Sequence, residues 1–201
     1  MKKLAILFVL AALAIQSQAQ DYHWRLTYDV SIPLGTMSED FISKTSWRGI
    51  GVDNRWEVSN KLSVGFYASW HVFYERKDNV LAMNEDETFA AYGNQFRYLN
   101  TWIFQANAHY YLGEQGQINP WVGIGIGTAI NNERTELGFL ALVYDPWSFS
   151  VSPQVGIDIP LNISTDFTLG VRYNYLMNSE NKARFDYTYL GINAGFKFLV
   201  F

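Results

Sequence analysis

Across residues 22–34 every even position is apolar (Tyr22, Trp24, Leu26, Tyr28, Val30, Ile32, Leu34), while the odd positions are His23, Arg25, Thr27, Asp29, Ser31 and Pro33. A half-apolar chain produces such a run by chance about once in ten thousand trials. Side chains alternate sides along a strand, so this segment reads as a strand whose two faces meet different environments. Its backbone groups need partners, so further strands must follow.

The pattern recurs with Leu62, Val64, Phe66, Ala68, Trp70, Val72 and Tyr74 on one face, then with Ile118, Pro120, Val122, Ile124 and Ile126. It returns over residues 147–159 and 167–175, and weaker copies over 50–58, 96–112 and 187–200 bring the count to eight. The connections at 59–61, 113–117 and 162–165 are tight, whereas those at 36–44, 76–94, 131–146 and 178–186 are long and polar. Short turns on one rim and long loops on the other is the organisation of membrane barrels, with short turns and both termini periplasmic.

Alternation alone also fits a soluble barrel with its apolar face inward. The aromatic residues separate the two. On the apolar face, Tyr22, Trp24, Trp56, Tyr110, Phe167, Phe196 and Phe198 fall at the short-turn rim. Trp70, Tyr74, Phe96, Tyr98, Trp147, Phe149, Tyr173 and Tyr175 fall at the long-loop rim. Two aromatic girdles with aliphatic residues between them match a lipid-facing belt. The expected fold is all-β: an eight-stranded antiparallel up-and-down transmembrane β-barrel with short periplasmic turns and long extracellular loops.

The first residues fit this location. Lys2 and Lys3 precede an apolar run at 4–15 and then Gln16, Ser17, Gln18 and Ala19. This is the layout of a signal peptide cut after Ala19, and twelve apolar residues fall short of the roughly 20 a spanning helix needs. Residues 1–19 are therefore expected to be the signal and 20–201 the barrel domain. Without Lys2 and Lys3 the chain carries 13 basic and 19 acidic residues, a balance that disfavours a nucleic-acid partner. The absence of cysteine excludes disulfides, thiolate metal sites and a lipidated N-terminal cysteine.

With the PWVGIGIG run at 120–127, the terminal GFKFLVF at 195–201 and this hairpin spacing, the chain resembles the small outer-membrane β-barrel or porin-family proteins of OmpA/OmpX-like type, especially the Bacteroidetes versions. The resemblance covers the mature chain and implies fold and an outer-membrane location, reached by export through the periplasm of a Gram-negative cell. It also implies insertion by the barrel-assembly machinery, for which the terminal aromatic resembles the signal. Phe201 departs from the pattern: it is out of phase with Phe196 and Phe198, which calls for a bulge or an overhang.

The polar face then lines the lumen, with Arg25, Asp29, Asp53, Arg55, Glu57, Glu75, Arg97, Asp158, Arg172 and Lys197 on it. Five are basic and five acidic. An eight-stranded interior is just wide enough for side chains, and charges there must pair, so a packed ion-pair network is expected. Inward glycines, among them Gly51 and Gly170, leave room for long side chains from opposite strands.

No catalytic residue, cofactor or metal site is assigned. The histidines stand in HWR, HVF and HYY, without the His and Ser two apart expected of a lipid A deacylase, and His71 and His109 are lumenal by phase. The acidic group Asn84, Glu85, Asp86 and Glu87 lacks EF-hand spacing and reads as a solvated loop. Within 131–146 an apolar stretch that includes Leu137, Phe139, Leu140, Leu142 and Tyr144 stands where water is expected. It reads as an extended hairpin, a segment dipping into lipid, or a patch for an extracellular protein or surface partner. The expected function is a structural or surface-interaction barrel in contact with outer-membrane lipids and lipopolysaccharide. The alternatives are a lipid-modifying enzyme of lipid A acyl chemistry and a narrow gated pore.

Overall fold

The computed structural model describes residues 22–83, 90–114, 116–178 and 186–200. The expected signal segment, the Asn84 to Glu87 acidic group and Phe201 lie outside the described residues. Among the described residues, nine strands form one antiparallel sheet: β1 (Tyr22–Pro33), β2 (Gly49–Ser59), β3 (Leu62–Met83), β4 (Ala90–Tyr111), β5 (Asn119–Leu137), β6 (Leu140–Tyr144), β7 (Trp147–Pro160), β8 (Thr165–Asn178) and β9 (Tyr187–Val200).

Eight of them close on themselves. The order runs β4-β3-β2-β1-β9-β8-β7-β5, and β4 pairs with β5 from Gln95↔Leu137 to Tyr111↔Trp121 to complete the ring. Closure removes the free edges that an open sheet would expose. The two ends of the chain meet in the β1–β9 ladder, which runs without a register shift from Pro33↔Tyr189 to Tyr22↔Val200. No bulge therefore precedes Val200.

The parity read from the sequence holds around the ring. Leu26, Val52, Ile124, Val155, Leu169 and Ile192 face outward and are exposed, while His23, Arg25, Asp53, Gln105, Asp158 and Thr168 face inward and are buried. Aromatic rings gather at both rims of the outer face. Tyr22 meets Trp24 and Trp56, each at 5.9 Å between centroids, and Phe167 meets Phe196 at 5.7 Å. At the other rim Trp70 stacks on Trp102 at 5.5 Å and Tyr74 meets Tyr98 at 5.1 Å.

Three of the long connections differ from the polar loops expected of them. Residues 76–94 are largely strand, because β3 and β4 continue to Met83 and from Ala90, with a register shift at Lys77/Val80. In 131–146, β6 pairs with β5 in the same register as β7 does, so β6 and β7 are one strand interrupted at Asp145 and Pro146. Proline breaks a ladder because it has no N–H to donate. The β5–β6 hairpin turns at Gly138, whose positive φ of 61° suits a two-residue turn. The apolar stretch thus extends a hairpin.

The first connection is not polar throughout. Residues Met37–Phe41 form a short π-helical turn, and Met37, Phe41 and Ile42 are buried. They pack with inward-facing Phe73, Leu99, Ile103, Ala129, Leu176, Tyr187 and Tyr189. An apolar cluster thus gathers inside the ring at the long-loop end, where alternation had assigned only a loop overhead.

Candidate functional site

The inward charges sort into three levels along the barrel. Nearest the short-turn rim, Asp158 on β7 accepts from Arg25 Nη2 at 3.0 Å, Thr168 Oγ1 at 2.8 Å and Trp121 Nε1 at 2.9 Å. Lys197 Nζ lies 3.4 Å from Asp158 and 2.8 Å from Asp166. Asp53 pairs with Arg55 two residues away, and Arg55 Nη1 donates to the Tyr111 hydroxyl at 3.1 Å. Alternate residues of one strand share a face, which is why Asp53 and Arg55 can meet.

Trp121 ties these pairs together. The Arg25 and Arg55 guanidinium carbons lie 4.6 and 5.0 Å from its ring centroid, and the His109 ring meets it edge-on at 5.2 Å. A cation over an indole face is worth roughly 0.5–2 kcal/mol, more where water is excluded. The indole fits because Gly156 and Gly170 face it: a Cβ at Gly156 would strike the Trp121 ring and one at Gly170 would lie 3.3 Å from it.

At mid-height the Arg172 guanidinium carbon is 3.4 Å from the centroid of Tyr67, whose hydroxyl donates to Asp29 at 3.1 Å. Arg172 Nη2 also donates to Gln154 Oε1 at 2.7 Å. Asp29 is 3.9 Å from His71, and His71 lies 3.0 Å from both Ser31 and Ser69 hydroxyls. Ser, His and Asp are the residue types of acyl-transfer triads, but an attacking hydroxyl must be reachable. Ser31 is 1% exposed, and the His71 ring is covered by Tyr189 at 5.3 Å. The cluster is therefore buried inside the barrel, on neither the lipid-facing wall nor an open cleft.

Glu75 and Arg97 occupy the upper level, where they hold the segment that carries Met37, Phe41 and Ile42. Glu75 accepts from the Ser43 backbone N–H at 2.6 Å. Arg97 Nη1 donates to the carbonyls of Asp40 at 2.8 Å and Phe41 at 2.6 Å. Glu57, the last of the ten, approaches His23 at 3.8 Å near the short-turn rim. Sequence parity placed these charges inside; it missed the 37–43 segment that Glu75 and Arg97 hold, the partnership of Asp166 and the central place of Trp121. The inward position of Trp121 between Asn119 and Gly123 was the one available signal.

Past this cluster the β5–β6 hairpin rises above the start of β7, its β5 arm still paired with β4 as far as Leu137. Leu137 is buried, Leu140 and Tyr144 are half-buried, and Phe139 and Leu142 are 87% and 70% exposed. Among the described residues, no group of three or more His, Asp or Glu side chains is arranged to hold a metal ion.

No protein-family model matches the chain, and no curated protein sequence matches it. Solved structures do. Neisserial surface protein A aligns with a TM-score of 0.52 at 15% identity, covering 91% of this chain and 98% of that one. The outer membrane protein OprG from Pseudomonas aeruginosa gives 0.53 at 14%, covering 92% and 98%. Escherichia coli outer membrane protein W gives 0.50 at 13%, covering 92% and 100%. The fold is that of a small outer-membrane β-barrel. At such identities the likeness is one of fold, and what this barrel does has to be argued from its own residues.

Proposed function

We propose that this chain is a non-enzymatic barrel of the bacterial outer membrane, with a plugged, ion-paired lumen, whose projecting hairpin engages an extracellular protein or surface. The observation that carries the reading is the display of Phe139 and Leu142 on a hairpin beyond a filled interior. Exposed apolar side chains grouped on a projecting element mark contact sites more often than chance. The outer-membrane location is supported by the apolar belt between two aromatic girdles, which suits contact with lipids and lipopolysaccharide. A closed lumen is supported by the Asp158 hub and by Met37, Phe41 and Ile42 in the long-loop mouth.

A photo-crosslinking residue at Phe139 or Leu142, introduced in intact cells, tests the contact. A discrete adduct from both positions, absent from a probe at Glu114 on the opposite rim, is the expected result. Adducts no different from those of the control probe refute the surface role. Planar-bilayer recording tests closure: the folded barrel should show no steady conductance, and a stable open channel would refute the plugged lumen and favour the pore.

A further inference from the structure

The outward face of the belt carries a polar side chain that the barrel itself does not use. Asn54 on β2 sits between Trp24 on β1 and Phe66 on β3, and Phe66 in turn pairs with Ala106 on β4. Its side chain is 7% exposed and its Nδ2 has no hydrogen-bond partner. Thr128, on the same face, donates to the Ser148 carbonyl at 3.2 Å. A polar group in an apolar belt is costly, and it marks a functional position when no internal partner accounts for it.

Asn54 lines a groove of about 520 Å³. Trp24, Phe66 and Phe104 stand as its walls, exposed at 42%, 63% and 45%, and the short side chains of Ala68 and Ala106 form its floor beside Asn54. A volume of several hundred Å³ is that of clefts that hold small ligands. We propose that this groove binds one glycerophospholipid of the periplasmic leaflet, an acyl chain lying over Ala68 and Ala106 and the glycerol ester hydrogen-bonded to the Asn54 amide. The proposal rests on the outer-membrane reading above.

Depth and shape select this occupant. Asn54 is two residues further from the short-turn rim than Trp56 of the girdle, about 5 Å along the membrane normal for a strand rising about 3.4 Å per residue at a tilt near 45°. That is the level at which a lipid's ester groups give way to its chains. Short turns face the periplasm, so the lipid belongs to the inner, phospholipid leaflet. A second barrel would meet the Phe66 ridge before its wall reached the floor, whereas a slender chain passes between the rings. Ester oxygens only accept, so the carboxamide nitrogen is the bonding group, and half a turn of the carboxamide brings it to the ligand.

The barrel is folded into vesicles of phosphatidylethanolamine and phosphatidylglycerol, moved into a detergent that strips loosely held lipid, and weighed by native mass spectrometry. Wild type should retain one phospholipid, Asn54→Leu about tenfold less, as for a lost buried hydrogen bond, Ala106→Phe none, and Leu169→Ala on the far wall as much as wild type. Retention by Ala106→Phe equal to wild type, a lipid-free wild type, or a lipid-free pair of barrels overturns the proposal. A gel shift on heating is recorded in parallel: a wild-type protein that never shifts overturns the membrane reading and the lipid site together, while one that shifts but carries no lipid overturns the site alone.

Discussion

Asp158→Asn tests the interior most directly, because it keeps the volume and an acceptor oxygen while removing the charge. Asp158 is 1% exposed and receives Arg25, Lys197, Thr168 and Trp121. The amide oxygen still accepts from Thr168 or Trp121, and Lys197 keeps Asp166 at 2.8 Å. What is lost is the partner of Arg25, which is 3% exposed and lies near Arg55 through the shared Trp121 ring. Breaking a buried pair from one side costs about 3–5 kcal/mol. The retained oxygen and the second acceptor of Lys197 argue for the lower end, so the expected loss is about 3 kcal/mol. The assay is urea unfolding in lipid vesicles followed by tryptophan fluorescence, with the midpoint compared at unchanged slope. Adding Arg25→Met to Asp158→Asn removes the orphaned charge and should recover at least half of the loss, since apolar replacement of a buried pair is often neutral. A single variant within about 0.5 kcal/mol of wild type, the range of ordinary surface substitutions, would refute the hub. So would a double variant less stable than the single one.

Three further outcomes follow from the same geometry. Trp121→Phe loses the 2.9 Å bond to Asp158 and part of the cation contact, and should cost about 1–2 kcal/mol in the same unfolding assay. Gly195→Ala drives a Cβ into the Leu26 carbonyl and to 2.7 Å from Thr27 Cα, both backbone of the neighbouring strand β1, and should abolish the heat-dependent gel shift. Gly191→Ala, whose nearest neighbours lie at 3.4 and 3.6 Å, should keep it. Arg97→Ala removes the two donations to Asp40 and Phe41, so limited proteolysis should cut within residues 37–42 while the gel shift stays intact.

The strands, their number in the ring and the face each residue takes were legible in the chain itself. Alternation with period two is a local property, and it carried His23, Arg25, Asp53 and Asp158 inward without knowledge of any neighbour. β9 occupies the same residues, 187–200, that the pattern marked. Pairing across the lumen is another matter. Arg25 on β1 meets Asp158 on β7, 133 residues away, because ring closure and strand stagger set which inward side chains share a level. No periodicity encodes that stagger, so Trp121 could be placed inside but not at the centre of two guanidinium groups. The burial of the first connection was missed for a related reason: Met37, Phe41 and Ile42 are three apolar residues in a largely polar loop, and only the apolar mouth formed by Phe73, Leu99, Ile103 and their neighbours makes their burial favourable. Asn54 shows the same division, since alternation put it on the apolar face, while the groove beside it exists only once β1, β2, β3 and β4 stand side by side.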